Sequence, residues 1–489
     1  MNFHLSLDSY QSTNAKLDKP EEACGVFAIY APEEEVAKLT YFGLHALQHR
    51  GQESAGIATF DGDKVRFHKD MGLVSRVFDE KILNGLPGKS AIGHTRYSTT
   101  GSSLVANAQP ILAETRLGTL ALAHNGNLVN VMELREKLGA RNCNFSGTSD
   151  SELIAIAIAE EVETGKGWLE GAISAFQMCQ GAYTLTIGTP EGIMGVRDPN
   201  GIRPLVIGIL EGNPQRYVLA SETCALDIIG AQYLRDVEPG ELVWITEAGI
   251  SSFHWAQKIE RKMCIFEMIY FARPDSVVHD ETIYSYRMRL GRQLALESPT
   301  DADMVIPVPD SGIPAAIGFA EASGITFAEG LIKNRYVGRT FIQPTQHMRE
   351  SGIRMKLNPL KDVLEGKRVI IVDDSIVRGT TSRKIVKALR DAGATEVHMR
   401  ISSPPVTHPC FYGIDTDDQD QLIAATKSIA EIANHIGVDS LAYLSWEGML
   451  KATGEDTESF CSACFTGDYP VAIPDQLKRS KLMLEEVKV

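Results

Sequence analysis

The sequence predicts two structural units in tandem: an α+β unit of stacked antiparallel sheets, then an α/β unit around a parallel sheet. Three observations carry this reading. A chain of 489 residues is too long for one ordinary hydrophobic core. Up to about residue 255, short period-two apolar segments are broken by Gly, Asn and Asp turns, the pattern of half-buried strands. From about residue 285, buried strands alternate with helical stretches, which points to a parallel sheet.

The strands of the first half are read at "GVFAIY", "SAGIATF", "KVRFHKD", "TLALAHNG", "AYTLTIG" and "RYVLAS". Two helical stretches interrupt them, "TYFGLHALQHRG" and "SELIAIAIAEEVETGKG", with Ser149 and Glu152 in capping-box spacing at the start of the second. In the second half "ADMVIPVPDSGIPAAIGFAEASG" reads as strand, turn and helix. "KRVIIVDDSIVRGTTSRKIVKALRDAGA" repeats the scheme, and "TEVHMRISSPP" adds a strand. The junction is placed within "SSFHWAQKIERKMCIFEMIYFARPDSVV". The division is a leader at 1–23, a first domain at 24–255, a second at 256–470 and a tail at 471–489.

Charge and composition narrow the function. With 63 acidic against 48 basic residues the net charge is −15, which disfavours a general nucleic-acid binder but leaves room for a local phosphate pocket. No apolar run reaches the length of a membrane span. The leader lacks a basic start followed by an apolar stretch, so a secretory signal is not expected. Eight cysteines in this length do not form a disulfide scaffold, and a reducing cytoplasm fits best.

The strongest single motif is "VIIVDDSIVRGTTS", residues 369 to 382. A β-branched strand ends at Asp373 and Asp374, where open α/β sheets bind ligands. The loop Ser375–Thr381 then opens a helix, and backbone N–H groups at a helix start suit a phosphate. Carboxylates beside such a cradle repel the ligand unless they face hydroxyls or a cation. A sugar phosphate with Mg²⁺ satisfies both conditions.

This stretch resembles the phosphoribosylpyrophosphate (PRPP) loop of type I phosphoribosyltransferases. The resemblance implies Asp373 and Asp374 on the ribose hydroxyls and Mg²⁺, with Ser375, Arg378, Gly379, Thr380 and Thr381 around the 5′-phosphate. It also implies pyrophosphate at the turn of "VIPVPDSGIP", with Ser311 near the metal. "KNRYVGRTFI" resembles the loop that closes over PRPP, with Lys333, Arg335 and Arg339 neutralising the leaving pyrophosphate.

In the first half, "CGVFAIY", "LQHRGQESAGIATF", "GHTRYSTTGSS", "LAHNGNLVN" and "GTSDSE" resemble, in order and spacing, the class II or N-terminal-nucleophile (Ntn) glutamine amidotransferases. In that family the cysteine is the first residue of the mature chain. A free α-amino group with a pKa of about 7.7–8.0 can serve as base for its own thiol. Cys24 therefore requires removal of residues 1–23 as a propeptide. The resemblance implies Asn125 and Gly126 as oxyanion donors, and Arg96 and Asp150 on the carboxylate and ammonium of glutamine. It further implies a lid at "TTGSS", with Arg50 shaping the floor of the glutamine site.

Cys461 and Cys464 form a C-x₂-C pair in "FCSACFTGD", and with Cys264 and Cys410 they make four thiols. By chemistry alone such a set suits zinc or an iron–sulfur cluster. Cys143, Cys179 and Cys224 read as packing residues. Together the halves resemble the glutamine PRPP amidotransferases, in the form that bears a propeptide and a structural 4Fe–4S cluster. That resemblance implies formation of 5-phosphoribosylamine from glutamine, PRPP and water, with ammonia channelled between the sites. It also implies one Mg²⁺ and one cluster per subunit, inhibition by purine nucleotides, and a homotetramer. The alternatives are another class II amidotransferase, against which the Asp373–Asp374 loop counts, and a PRPP- or nucleotide-sensing regulator without chemistry.

Overall fold

The computed structural model describes residues 24–97, 104–212, 215–257, 260–334, 357–416, 418–454, 459–475 and 477. The leader, the "TTGSS" lid, Arg335, Arg339 and most of the tail lie outside them. In the first half the strands run β1 (Gly25–Tyr30), β2 (Ser54–Asp61), β3 (Lys64–Met71), β4 (Ser90–Arg96), β5 (Ile111–Thr115), β6 (Gly118–Leu128) and β7 (Gly181–Thr189). They continue with β8 (Gly192–Arg197), β9 (Val206–Leu210), β10 (Arg216–Ala220), β11 (Gln232–Asp236), β12 (Glu241–Thr246) and β13 (Gly249–His254).

Two antiparallel sheets result, ordered β11-β9-β10-β1-β4-β2-β3 and β13-β12-β8-β7-β6-β5. Alternation along β1 explains why "GVFAIY" is apolar throughout. Val26, Ala28 and Tyr30 face the second sheet, where they meet Ala121, Ala123, Ile193 and Val243. Phe27 and Ile29 face outward and are covered by the helix Val36–Ala46. The outer face of the second sheet is covered by Asp150–Glu163 and Trp168–Phe176. The layers are helix, sheet, sheet, helix.

At the start of Asp150–Glu163 half of the expected capping box forms. The Ser149 hydroxyl accepts the Glu152 N–H, whereas the Glu152 carboxylate turns to Ser146 and Gly147.

The second half holds a parallel sheet of four strands in the order Met304–Pro307, Arg368–Asp373, Glu396–Ile401, Ser440–Tyr443. Val369 and Ile371 point to one apolar layer, Ile370 and Val372 to the other. Burial on both faces accounts for the unbroken β-branched run. Met304–Pro307 pairs with Val369–Val372, so the loops after both strands open at one sheet edge. A short parallel pairing of Met263–Cys264 with Phe460–Cys461 ties the start of this half to its end.

Candidate active sites

In the first half the sequence-predicted residues gather at one end of the sandwich. β1 runs antiparallel to β4 with Gly25 opposite Thr95, which places Cys24 and Arg96 at the same strand ends. The imidazole of His94 meets the His124 carbonyl across the two sheets at 3.0 Å, bringing the β4 end to the "HNGN" segment of β6. Cys24 is buried, and its thiol donates to the Tyr97 carbonyl at 3.5 Å. Burial pushes that thiol up to about 12; Arg96 pulls the other way, and Asp150 and Glu53 add to the rise. The thiol of the intact chain is therefore protonated at neutral pH.

Asp150 starts a helix, where a carboxylate is favoured. It accepts the Leu128 N–H at 3.0 Å and the Ser151 N–H at 2.9 Å, which fixes both oxygens. Asn125 is fully buried, yet neither its amide nitrogen nor its carbonyl oxygen has a partner. An orphaned buried amide costs about 1–3 kcal/mol, so its retention suggests a group that is satisfied only by a ligand.

Arg50 is committed to carboxylates of both halves. Its guanidinium has no exposure, Nε goes to Glu222, and the two terminal nitrogens go to Glu267. The side chain joins the two halves. Glu222 also accepts from Ser276 Oγ at 2.6 Å and from the Arg273 N–H at 2.8 Å, and meets His49 Nε2 at 2.7 Å. Arg203, from "GIRPL", donates to Glu267 and to the Tyr412 carbonyl. Sequence reading missed Glu222, Glu267 and Arg203, because isolated charges carry no local pattern.

In the second half Asp373, Asp374 and Ser375 are buried at the carboxyl end of Arg368–Asp373. Asp373 Oδ1 accepts the Asp374 N–H at 2.9 Å, and Asp374 Oδ1 accepts from Ser375 Oγ at 2.7 Å. Gly379, with φ of 78°, precedes the helix Thr380–Asp391. A Cβ there would stand 2.9 Å from Ile423 Cδ1 in a backbone conformation that side chains avoid, so the loop requires glycine. Arg378 Nε donates to Gln421 at 3.1 Å, while Thr380 and Thr381 line the first helical turn.

On the neighbouring turn Lys333 Nζ pairs with Asp310 at 2.5 Å beside Ser311, and Ile313–Ser323 starts just after. Two carboxylates and a hydroxyl at one sheet edge are hard oxygen donors of the kind that hold Mg²⁺. Arg287, also missed from sequence, is buried against the Met268 and Ala272 carbonyls. Burial pushes it down to about 10, with Asp374 as the leading opposing field.

The four expected cysteines share one core. Cys264 and Cys461 are register partners, the Cys464 carbonyl accepts the Thr407 and His408 N–H groups, and Cys410 Sγ accepts the Tyr412 N–H at 3.4 Å. All four are buried and none is in a disulfide. Burial, then the neighbouring cysteines, pushes the Cys464 thiol well up. Among the described residues no three Cys, His, Asp or Glu side chains form a ready metal-ligand set. Four buried thiols drawn from three separate segments of one core nonetheless match the donor chemistry of such a centre.

Comparisons with known proteins agree with both halves. A glutamine amidotransferase domain model matches residues 94–227, and a phosphoribosyl transferase domain model matches residues 286–402. The amidophosphoribosyltransferase of a Synechocystis species is 74% identical over 471 residues, covering 96% of this chain and 95% of the relative. That of Bacillus subtilis is 51% identical over 94% of this chain and 96% of the relative. The solved structure of B. subtilis glutamine PRPP amidotransferase complexed with ADP and GMP is 51% identical, with a TM-score of 0.86 over 92% of this chain and 98% of that one. A second, described as the allosteric regulatory enzyme of purine biosynthesis, has a TM-score of 0.88 over 93% of this chain and 97% of that one. By near-full-length identity and by fold, this chain belongs to the amidophosphoribosyltransferase family.

Proposed function

We propose that the chain makes 5-phosphoribosylamine, glutamate and pyrophosphate from glutamine, PRPP and water, through a thioester on Cys24. The observation that carries the chemical reading is the buried thiol in the fields of Arg96 and Asp150, at the sandwich end that also holds the unpartnered Asn125 amide.

Arg96 takes the glutamine carboxylate and Asp150 the ammonium, a pairing that leaves the side-chain amide near Cys24. Once residues 1–23 are removed, the Cys24 amine accepts the thiol proton and sulfur attacks the amide carbon. Asn125 Nδ2 and the Gly126 N–H donate to the resulting oxyanion. The carbon–nitrogen bond breaks, the amine returns its proton to the departing ammonia, and water hydrolyses the thioester to glutamate. Ammonia passes through a shielded channel to the second half and attacks C1 of ribose as the bond to pyrophosphate breaks.

There Asp373 and Asp374 orient the ribose hydroxyls, and the Ser375–Thr381 loop holds the 5′-phosphate. Lys333, with Arg335 and Arg339, closes on pyrophosphate. Asp373, Asp374 and Ser311 would hold Mg²⁺, which when bound offsets the charge of the leaving group. Cys264, Cys410, Cys461 and Cys464 would hold a 4Fe–4S cluster with a structural role, since neither half-reaction moves electrons. Purine nucleotides serve as feedback ligands, a reading supported by the ADP and GMP bound to the B. subtilis relative. The assembly is a cytoplasmic homotetramer.

Mass spectrometry of the mature amino terminus, with iron and sulfide analysis, tests maturation and cluster together. A terminus at Cys24 and four irons per chain are expected. An intact Met1 terminus in fully glutamine-active enzyme overturns the nucleophile assignment.

A further inference from the structure

The segment that follows Cys410 packs in the core of the second half and also lies against the oxyanion segment of β6 in the first. Three contacts define this. The Asn127 amide donates to the Phe411 carbonyl at 3.1 Å. Gly413, with φ of 103°, backs directly onto Gly126: a Cβ on Gly413 would stand 3.1 Å from the Gly126 carbonyl carbon and oxygen and 3.2 Å from its Cα. Between them, the Tyr412 carbonyl receives both Nε and Nη2 of Arg203, at 3.2 and 3.0 Å.

Arg203 belongs to the first half and is fully buried. Its own carbonyl accepts the Thr184 hydroxyl at 3.0 Å, and Thr184 is the register partner of Asn125. Its remaining terminal nitrogen meets Glu267 at 3.2 Å, the carboxylate that also receives Arg50. The peptide carrying the oxyanion donors is thus held on one side by β7 and on the other by a backbone segment of the other half.

We propose that Phe411–Gly413 is a positioning wall for the oxyanion segment of β6, with Arg203 and Gly413 as its positioning residues, so that glutamine cleavage depends on how the second half is seated. The reasoning rests on the glutaminase reading above. Oxyanion donors act on charge that develops in the transition state, and small displacements of such donors are expensive in rate. A shift of Gly126 and Asn125 should therefore reduce kcat while leaving ground-state glutamine binding, assigned to Arg96 and Asp150, almost untouched.

The test compares Gly413→Ala and Arg203→Lys with the parent enzyme, using glutamine and ammonium as alternative nitrogen donors. Arg203→Lys keeps the charge but loses the two-pronged hold on the Tyr412 carbonyl. Both variants should lose between about tenfold and a hundredfold in glutamine kcat. The KM for glutamine and the ammonium-dependent rate should stay within about twofold. A parallel loss with both donors, a change confined to KM, or no change overturns the proposal. Should Gly413→Ala fail to fold, Arg203→Lys and Asn127→Ala decide by the same split. Cys24→Ala is the control: retained glutamine use there would sink the glutaminase reading itself. Its loss, together with unaffected wall variants, would sink only the wall.

Discussion

Arg50 and Glu267 face each other across the two halves of the chain, guanidinium to carboxylate, both without solvent exposure. Glu222 closes the other side of Arg50, so one buried cation is shared by carboxylates from both halves. Removing the cation leaves Glu267 with Arg203 and Glu222 with His49 as their remaining cationic partners, both pairs buried or half-buried. Arg50→Met should destabilise the protein by about 3–5 kcal/mol, the usual cost of breaking a buried pair from one side. Denaturant unfolding checks this, and a loss under about 1 kcal/mol would mean that the interface is wetter than the structure indicates.

The same junction predicts an acid response. Burial alone would raise the Glu222 carboxyl, but His49 and Arg50 hold it well below its ordinary 4.5. A carboxyl depressed in the folded state contributes stability that is complete above about pH 4.5 and is lost as pH falls through the folded value. Glu222→Gln should be less stable than the parent at pH 7, with the gap closing as acid is added. Urea midpoints measured at pH 7 and below pH 4 read this directly; a constant gap contradicts it.

Asn125→Ala separates function from stability. The Asn125 amide is buried without a partner, so its removal should leave the melting temperature unchanged or raised. Glutamine-dependent turnover should fall by about 10²–10³-fold, the cost of one oxyanion donor, while ammonium-dependent synthesis persists. A large loss of stability with activity intact would make Asn125 a core residue.

Burial pushes the Cys24 thiol of the unprocessed chain up to about 12, so a thiol acting alone in the same setting would stay protonated well above neutral pH. If the thiol titrated alone, glutamine kcat/KM would climb continuously through pH 10. With the liberated amine as base, the rising limb should instead level off near the amine's own value of about 7.7–8.0. A pH–rate profile on the processed enzyme distinguishes the two.

The sequence made legible those parts of the fold and sites that are written locally. Strand alternation in "GVFAIY", the β-branched run before Asp373–Asp374 and the glycine at 379 each follow from a few adjacent residues and appear as expected. "QHRGQ" marks Arg50 as a residue of the amidotransferase motif. The motif could not reveal that its side chain pairs with Glu267, more than two hundred residues on. Arg203, Glu222 and Arg287 were invisible for the same reason: their partners are carbonyls and carboxylates assembled only by the packing of the two halves. The reach of Phe411–Gly413 onto Gly126 is likewise a property of that packing.

Nitrogen-donor dependence of Cys24→Ala probes the central claim most directly, because it separates the sulfur chemistry from sugar transfer in one enzyme. The account predicts no product from glutamine and near-parent synthesis of 5-phosphoribosylamine from PRPP and ammonium. Sustained turnover with glutamine, or loss of synthesis with both donors in a folded protein, would contradict it.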